Sequence, residues 1–204
     1  TDEVENNICL PIRYFLVENK VNDNEVCGLG LSLAALFDRK SGDIIKWPNN
    51  RLWDMFPLKS YLEKRLKIPV AMEDDANAAA LGEHLMGAGK GYSNFAYVTI
   101  STGIGCGLIL NNRLYTGSNG WAGEIGHIQV IKEGPLCTCG AKGCLQALVS
   151  GPALYMKYLE EIQADSGLAA DNLEQIVQLA KKGDNSAMKI FEFAGEHLAW
   201  MFSN

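Results

Sequence analysis

The chain has 204 residues, 48% of them hydrophobic, and its 18 Lys and Arg against 24 Asp and Glu leave a formal net charge of −6. That length suits one ordinary domain or two small lobes with a real core, and the composition is that of an α/β protein rather than a disordered or coiled-coil chain. The acidic balance argues against nucleic acid as a partner of this portion, and no apolar run nears the roughly 18 residues of a bilayer span.

The acidic start Thr1-Asp2-Glu3-Val4-Glu5 is unlike a signal peptide, so a cytoplasmic setting away from membranes is expected. Ile8, Pro11, Ile12, Phe15 and Leu16 form a helical stripe between Asn7 and Val21, with Pro11 near its start. The period then changes. Val26 to Leu31 reads as a buried strand. Leu36-Phe37-Asp38, a turn at residues 39–42 and Asp43 to Trp47 read as strand, turn and strand. Leu58, Tyr61, Leu62 and Leu66 mark a short helix leading to a strand at Pro69-Val70-Ala71-Met72, a βαβ-type alternation. Asp75 opens an alanine-rich helix, Ala76 to Met86, that stops at the glycine cluster Gly87 to Gly91. That cluster closes a first half, residues 1–91.

The second half, residues 92–204, begins with a strand at Phe95 to Ile100, the turn Ser101-Thr102-Gly103-Ile104-Gly105, and a strand at Gly107 to Leu110. Asn111-Asn112 tolerates the positive φ of a two-residue hairpin before Arg113-Leu114-Tyr115. Three helical patterns end the chain: Pro152 to Ile162, Leu173 to Lys182, and Ser186 to about Phe202. The last has no capping glycine or proline, as if the chain were cut there.

Between these regions lies Trp121-Ala122-Gly123-Glu124-Ile125-Gly126-His127, followed by Cys137-Thr138-Cys139-Gly140-Ala141-Lys142-Gly143-Cys144. His127, Cys137, Cys139 and Cys144 supply one imidazole and three thiolates, the shell of a structural tetrahedral zinc ion. Reduced, metal-binding cysteines agree with a cytoplasmic setting.

Four signatures in this order carry a resemblance: Glu73-Asp74-Asp75-Ala76-Asn77-Ala78-Ala79-Ala80-Leu81-Gly82-Glu83, the Ser-Thr-Gly-Ile-Gly turn, Gly-Glu-Ile-Gly-His, and Cys-x-Cys-Gly-x-x-Gly-Cys. From about Val26 to Ala153 the chain resembles the ROK family of bacterial sugar kinases and sugar-responsive repressors. The resemblance implies an actin-like (RNase H-like) ATPase fold of two lobes with a zinc-bound loop, a sugar in the cleft, ATP with magnesium in kinase members, and homo-dimers or tetramers.

By the same resemblance, Asp75 matches the general base that takes the sugar hydroxyl's proton; spacing alone favours the rival role, the N-cap of its helix. Ser101, Thr102, Gly103 and Gly105 match the turn that lies against the ATP phosphates. Glu124 and His127 match sugar-holding residues, His127 doubling as zinc ligand, and Asn77, Asp74 and Gln146 fall beside them. Three positions depart from the family pattern. Asp74 replaces a usual Asn, setting two carboxylates side by side so that repulsion raises one pKa. Gln146 stands where a sugar-binding Glu is usual, and Ser32-Leu33-Ala34-Ala35 replaces a Gly-x-Pro-Gly turn.

No Asp-x-Gly-Gly-Thr phosphate loop occurs in the 204 residues, so the sequence reads as the middle of a longer protein, without useful kinase activity by itself. Two functions follow from the resemblance: a sugar kinase, or the sugar-sensing domain of a transcriptional repressor.

Overall fold

Pro11 shapes the first helix. A computed structural model describes residues 2–47, 51–165 and 170–203. In it the chain is helical through α1 (Asp2–Val4), a π-helical turn at Glu5–Cys9, and α2 (Leu10–Glu18). The helix thus starts before Asn7 and ends short of Val21. A proline ring crowds the carbonyl four residues back, here Asn7, and the wider π turn sits at that carbonyl, so the helix passes the proline instead of starting at it. It ends where the Asn19 side chain donates to the Phe15 carbonyl (2.8 Å) and Lys20 turns to φ +54°.

Chain contacts gather the residues into two units, Thr1–Ala78 and Ala79–Asn204, divided within the helix that Asp75 opens. In the first unit, β1 (Leu29–Leu33) starts later than the apolar run implies, because the Val26 N–H still closes the turn begun at Asp23. An antiparallel pair follows, β2 (Leu36–Phe37) and β3 (Ile44–Lys46), closed by the Asp38 carboxylate accepting the Lys40 and Ser41 N–H groups. Helix α3 (Leu58–Leu66) buries Leu58, Leu62 and Leu66 on one stripe. It stops at Lys67, φ +61°, and leads into β4 (Val70–Asp74). β4 pairs in parallel with β1 from Leu29↔Val70 to Leu33↔Asp74, as the βαβ reading expects. The core comprises Val4, Cys9, Phe37, Ile44, Trp53 and the α3 leucines, with Trp47 edge-on to Trp53 at 5.0 Å. Because β4 runs straight into α4 (Asp75–Met86), the acidic residues stand at the carboxyl end of a parallel strand, where open α/β sheets place ligands.

In the second unit β5 (Phe95–Ile100), β6 (Ile104–Leu110) and β7 (Arg113–Tyr115) form an antiparallel meander. β6 begins three residues earlier than the sequence suggests, pairing Ile104 with Ile100 and Gly105 with Thr99, so the turn is only Ser101 to Gly103. Asn111 and Asn112 take φ +53° and +60°, the two-residue turn their side chains permit. Helices α5 (Leu145–Val149), α6 (Gly151–Asp165), α7 (Leu173–Lys181) and α8 (Asn185–Ser203) complete the unit. The three long ones match their sequence patterns, and α5 is an addition. Asn172 caps α7 by accepting the Gln175 N–H at 3.0 Å. Leu145, Val149, Tyr158, Ile176 and Ile190 are fully buried between these helices. Among the described residues no helix is long and apolar enough to cross a membrane.

Candidate metal centre and acidic cluster

The Cys-rich segment is a hairpin built to bring thiols together. Cys137 N–H donates to the Ala141 carbonyl (2.7 Å) and Gly140 N–H to the Cys137 carbonyl (2.9 Å). Gly143 adopts φ +69°, and a β-carbon there would lie 1.9 Å from the Ile131 carbonyl oxygen, so only glycine lets the two arms close. Cys144 is then the residue before α5, held fully buried.

The ligand atoms of His127, Cys137, Cys139 and Cys144 all lie within 4.8 Å of one another. Cys139 Sγ is 3.7 Å from Cys144 Sγ, and Cys137 Sγ is 3.5 Å from His127 Nδ1. A tetrahedral zinc shell, with bonds of about 2.3 Å to sulfur and about 2.0 Å to nitrogen, has S–S edges of about 3.8 Å and S–N edges of about 3.5 Å. The donor set and these edges fit that ion. Burial pushes the Cys144 thiol well above its ordinary range, helped by its hydrogen bonds to Cys139 and Cys137. Burial also raises Cys137, but the Cys139 backbone N–H and the His127 ring outweigh it and hold this thiol below the usual value.

With Nδ1 turned to the thiols, the other ring nitrogen of His127 faces Glu124 Oε2 at 3.8 Å. Glu124 keeps about half its side chain exposed. Gln146 Nε2 donates to Thr138 Oγ1 (3.1 Å) and to Cys137 Sγ (3.6 Å). Its Oε1 lies 3.3 Å from where a β-carbon on Gly103 would stand and 3.2 Å from the same point on Gly126. The turn itself is braced by Ser101 N–H to the Gly103 carbonyl (2.9 Å) and by Gly151 N–H to the Ser101 carbonyl (2.8 Å), with Ser101 and Thr102 exposed. Glu124, His127, Gln146 and Gly103 therefore gather around the Cys-rich hairpin. Gly105 does not belong to the turn; it is a β6 residue.

Asp74, Asp75 and Asn77 form a cluster in the first unit. The cap of α4 is Asp74 rather than Asp75: its Oδ1 accepts the N–H groups of Ala76 (3.1 Å) and Asn77 (3.3 Å). Asp75 stands exposed as the first helical residue, one oxygen accepting the Ala76 N–H at 2.8 Å. Burial, with the Asp75 and Glu73 charges adding to it, raises the Asp74 pKa, so the expected rise falls on Asp74.

The sequence reading missed the organiser of this cluster. Glu73 receives the Arg39 guanidinium on both oxygens, Nη1 to Oε2 at 2.8 Å, and accepts the Asp74 N–H (2.9 Å) and Asn77 Nδ2 (3.0 Å). Burial alone would raise Glu73; the Arg39 fork and these donors win and hold it below its ordinary value. Arg39 sits in a turn 34 positions away, and no local pattern links the two. Asn77 is 3% exposed, and its Oδ1 meets no donor among the described residues.

The ROK family model matches residues 1–204. The xylose repressor of Bacillus spizizenii is 34% identical over 193 residues, covering 95% of this chain and 48% of the repressor. Among solved structures, a ROK family transcriptional regulator described as a homologue of the E. coli MLC protein superposes with a TM-score of 0.85 at 27% identity, over 97% of this chain and 51% of its own. A ROK family glucokinase from Streptomyces griseus, solved with glucose and AMPPNP, gives a TM-score of 0.73 at 35% identity, over 84% of this chain and 59% of its own. The chain spans about half the length of the curated relatives it matches. With the four signatures and the α/β architecture in place, the chain belongs to the ROK family.

Proposed function

We propose that this chain is the sugar-binding core of a ROK sugar kinase that moves the ATP γ-phosphate to a sugar hydroxyl. The carrying observation is the division of labour at α4: Asp74 accepts the Ala76 and Asn77 N–H groups, while Asp75 engages only the Ala76 N–H, through one oxygen, and stands exposed at the carboxyl end of β4. Asp75 is then the general base, accepting the hydroxyl proton as the oxygen attacks. Glu124 and the outward nitrogen of His127 hold sugar hydroxyls, and Asp74, Asn77 and Gln146 are the further sugar-binding residues of this reading. Ser101, Thr102 and Gly103 present hydroxyls and a close backbone to the phosphates, with Gly105 supporting them from β6. Bound magnesium would neutralise developing phosphate charge. Zinc in the Cys3His centre is structural, fixing the His127 ring that meets the sugar. A homo-dimer or tetramer in the cytoplasm and an actin-like two-lobed fold, its lobes drawn from residues 1–91 and 92–204, complete the reading.

The test uses the intact reading frame with ATP, magnesium and a panel of hexoses, N-acylhexosamines and pentoses. Sugar-dependent ADP release is expected, falling about 10²- to 10⁴-fold in Asp75→Asn while sugar binding persists. The second reading, a repressor's sensing domain, is favoured by the Asp74 and Gln146 departures and by the closer superposition on a regulator than on the glucokinase above. Sugar binding by calorimetry without any ADP release would establish it and sink the kinase.

A further inference from the structure

We infer that Gln146 is a positioning residue of the metal centre, its side-chain amide holding the Cys137 thiolate in place. The inference rests on the metal reading proposed above. Gln146 occupies the first turn of α5, beside Cys144 and the fully buried Leu145, so its backbone is anchored by the core and by the Leu145 N–H to the Ile128 carbonyl (2.9 Å). From that anchor its Nε2 reaches both Thr138 Oγ1 (3.1 Å) and Cys137 Sγ (3.6 Å), the residues on the opposite arm of the hairpin. An amide N–H directed at a thiolate stabilises the charged ligand; a carboxylate in the same place has no hydrogen to offer. It would also set a negative charge against a centre whose three thiolates and one divalent ion already sum to −1. The two ends of the side chain point different ways: the nitrogen serves the thiolate, while the carbonyl oxygen faces Gly103 and Gly126.

The experiment measures zinc affinity of the 204-residue chain by competition with a chromophoric chelator, and the sulfur-to-metal charge-transfer band after cobalt(II) substitution. Two variants are compared with the parent: Gln146→Glu, which keeps the shape and removes the donor, and Gln146→Met, which keeps the volume and adds no charge. Both are expected to bind zinc about 10- to 100-fold more weakly, Glu more so than Met, with a shifted cobalt band and an unchanged far-ultraviolet spectrum at saturating metal. Should one variant fail to fold, the other decides. Affinities and cobalt bands equal to the parent's would overturn the inference, leaving Gln146 a packing residue. A parent chain that takes up neither zinc nor cobalt sinks the metal reading first, and this inference with it.

Discussion

Two adjacent carboxylates at one helix start are asked to do different things, and their surroundings separate them. Asp74 is partly buried and accepts two helix N–H groups, whereas Asp75 is exposed. Burial raises the folded-state pKa of Asp74. A carboxyl whose pKa is higher folded than unfolded contributes stability that is full below the unfolded value and is lost as pH rises through the folded one. At neutral pH the ionised Asp74 therefore works against the fold. Asn caps as well as Asp and carries no charge, so Asp74→Asn is expected to raise the melting temperature at pH 7 and to lose that advantage in acid. Asp74→Ala, which removes the cap, should cost about 1 kcal/mol at neutral pH. Thermal melts across pH 3.5 to 7.5 decide both. The pairing of Asp74 with Asp75 was legible in the sequence because the residues are neighbours. Which of them caps was not, because β4 ends and α4 begins between them, and a shift of one residue exchanges their roles.

At the scale of the element, the clustering of His127 with the three cysteines of the hairpin was the most legible part of the chain. Cysteine and histidine spacing encodes a shell almost by itself, since few other arrangements use three thiols and an imidazole in 18 residues. Longer-range details were hidden. The reach of Gln146 across the hairpin depends on where α5 starts, and α5 carries no sequence pattern of its own. The early start of β6 was equally invisible, because it is set by the pairing with β5, while the π turn before Pro11 is the alternative to a helix start that a proline also permits. The hairpin makes a firm demand at Gly143, where φ is +69° and a side chain would strike the Ile131 carbonyl. Gly143→Ala is expected to destabilise by at least about 2 kcal/mol, the cost of the left-handed backbone plus the clash, and to lower zinc content on metal analysis. Metal uptake must also release protons, chiefly from Cys144, whose thiol is held protonated above its usual range. Zinc affinity should thus fall as pH falls, and calorimetry in buffers of different ionisation enthalpy will count the protons.

Each unit of the molecule has its own apolar core, and the proposed ligands all belong to one of them. Trp53, Ile44 and the α3 leucines pack the core of the first unit, and among the described residues the candidate metal cluster takes no ligand from it. His127, Cys137, Cys139 and Cys144 lie in the second, beside a core of Tyr158, Ile176 and Ile190. In small zinc domains binding free energy is folding free energy, with apparent values of about 10–16 kcal/mol; here the helices of α6 to α8 already bury a core, so metal loss should loosen the hairpin and α5 while much helix survives. The tryptophans offer a way to see this unit by unit. Trp47 and Trp53 belong to the first unit, Trp121 and Trp200 to the second. In a Trp121→Phe, Trp200→Phe chain, a strong chelator is expected to lower the thermal midpoint read by circular dichroism and to leave the midpoint read by fluorescence nearly unchanged. Midpoints that fall together would mean that the centre stabilises the whole molecule, and that the two cores unfold as one.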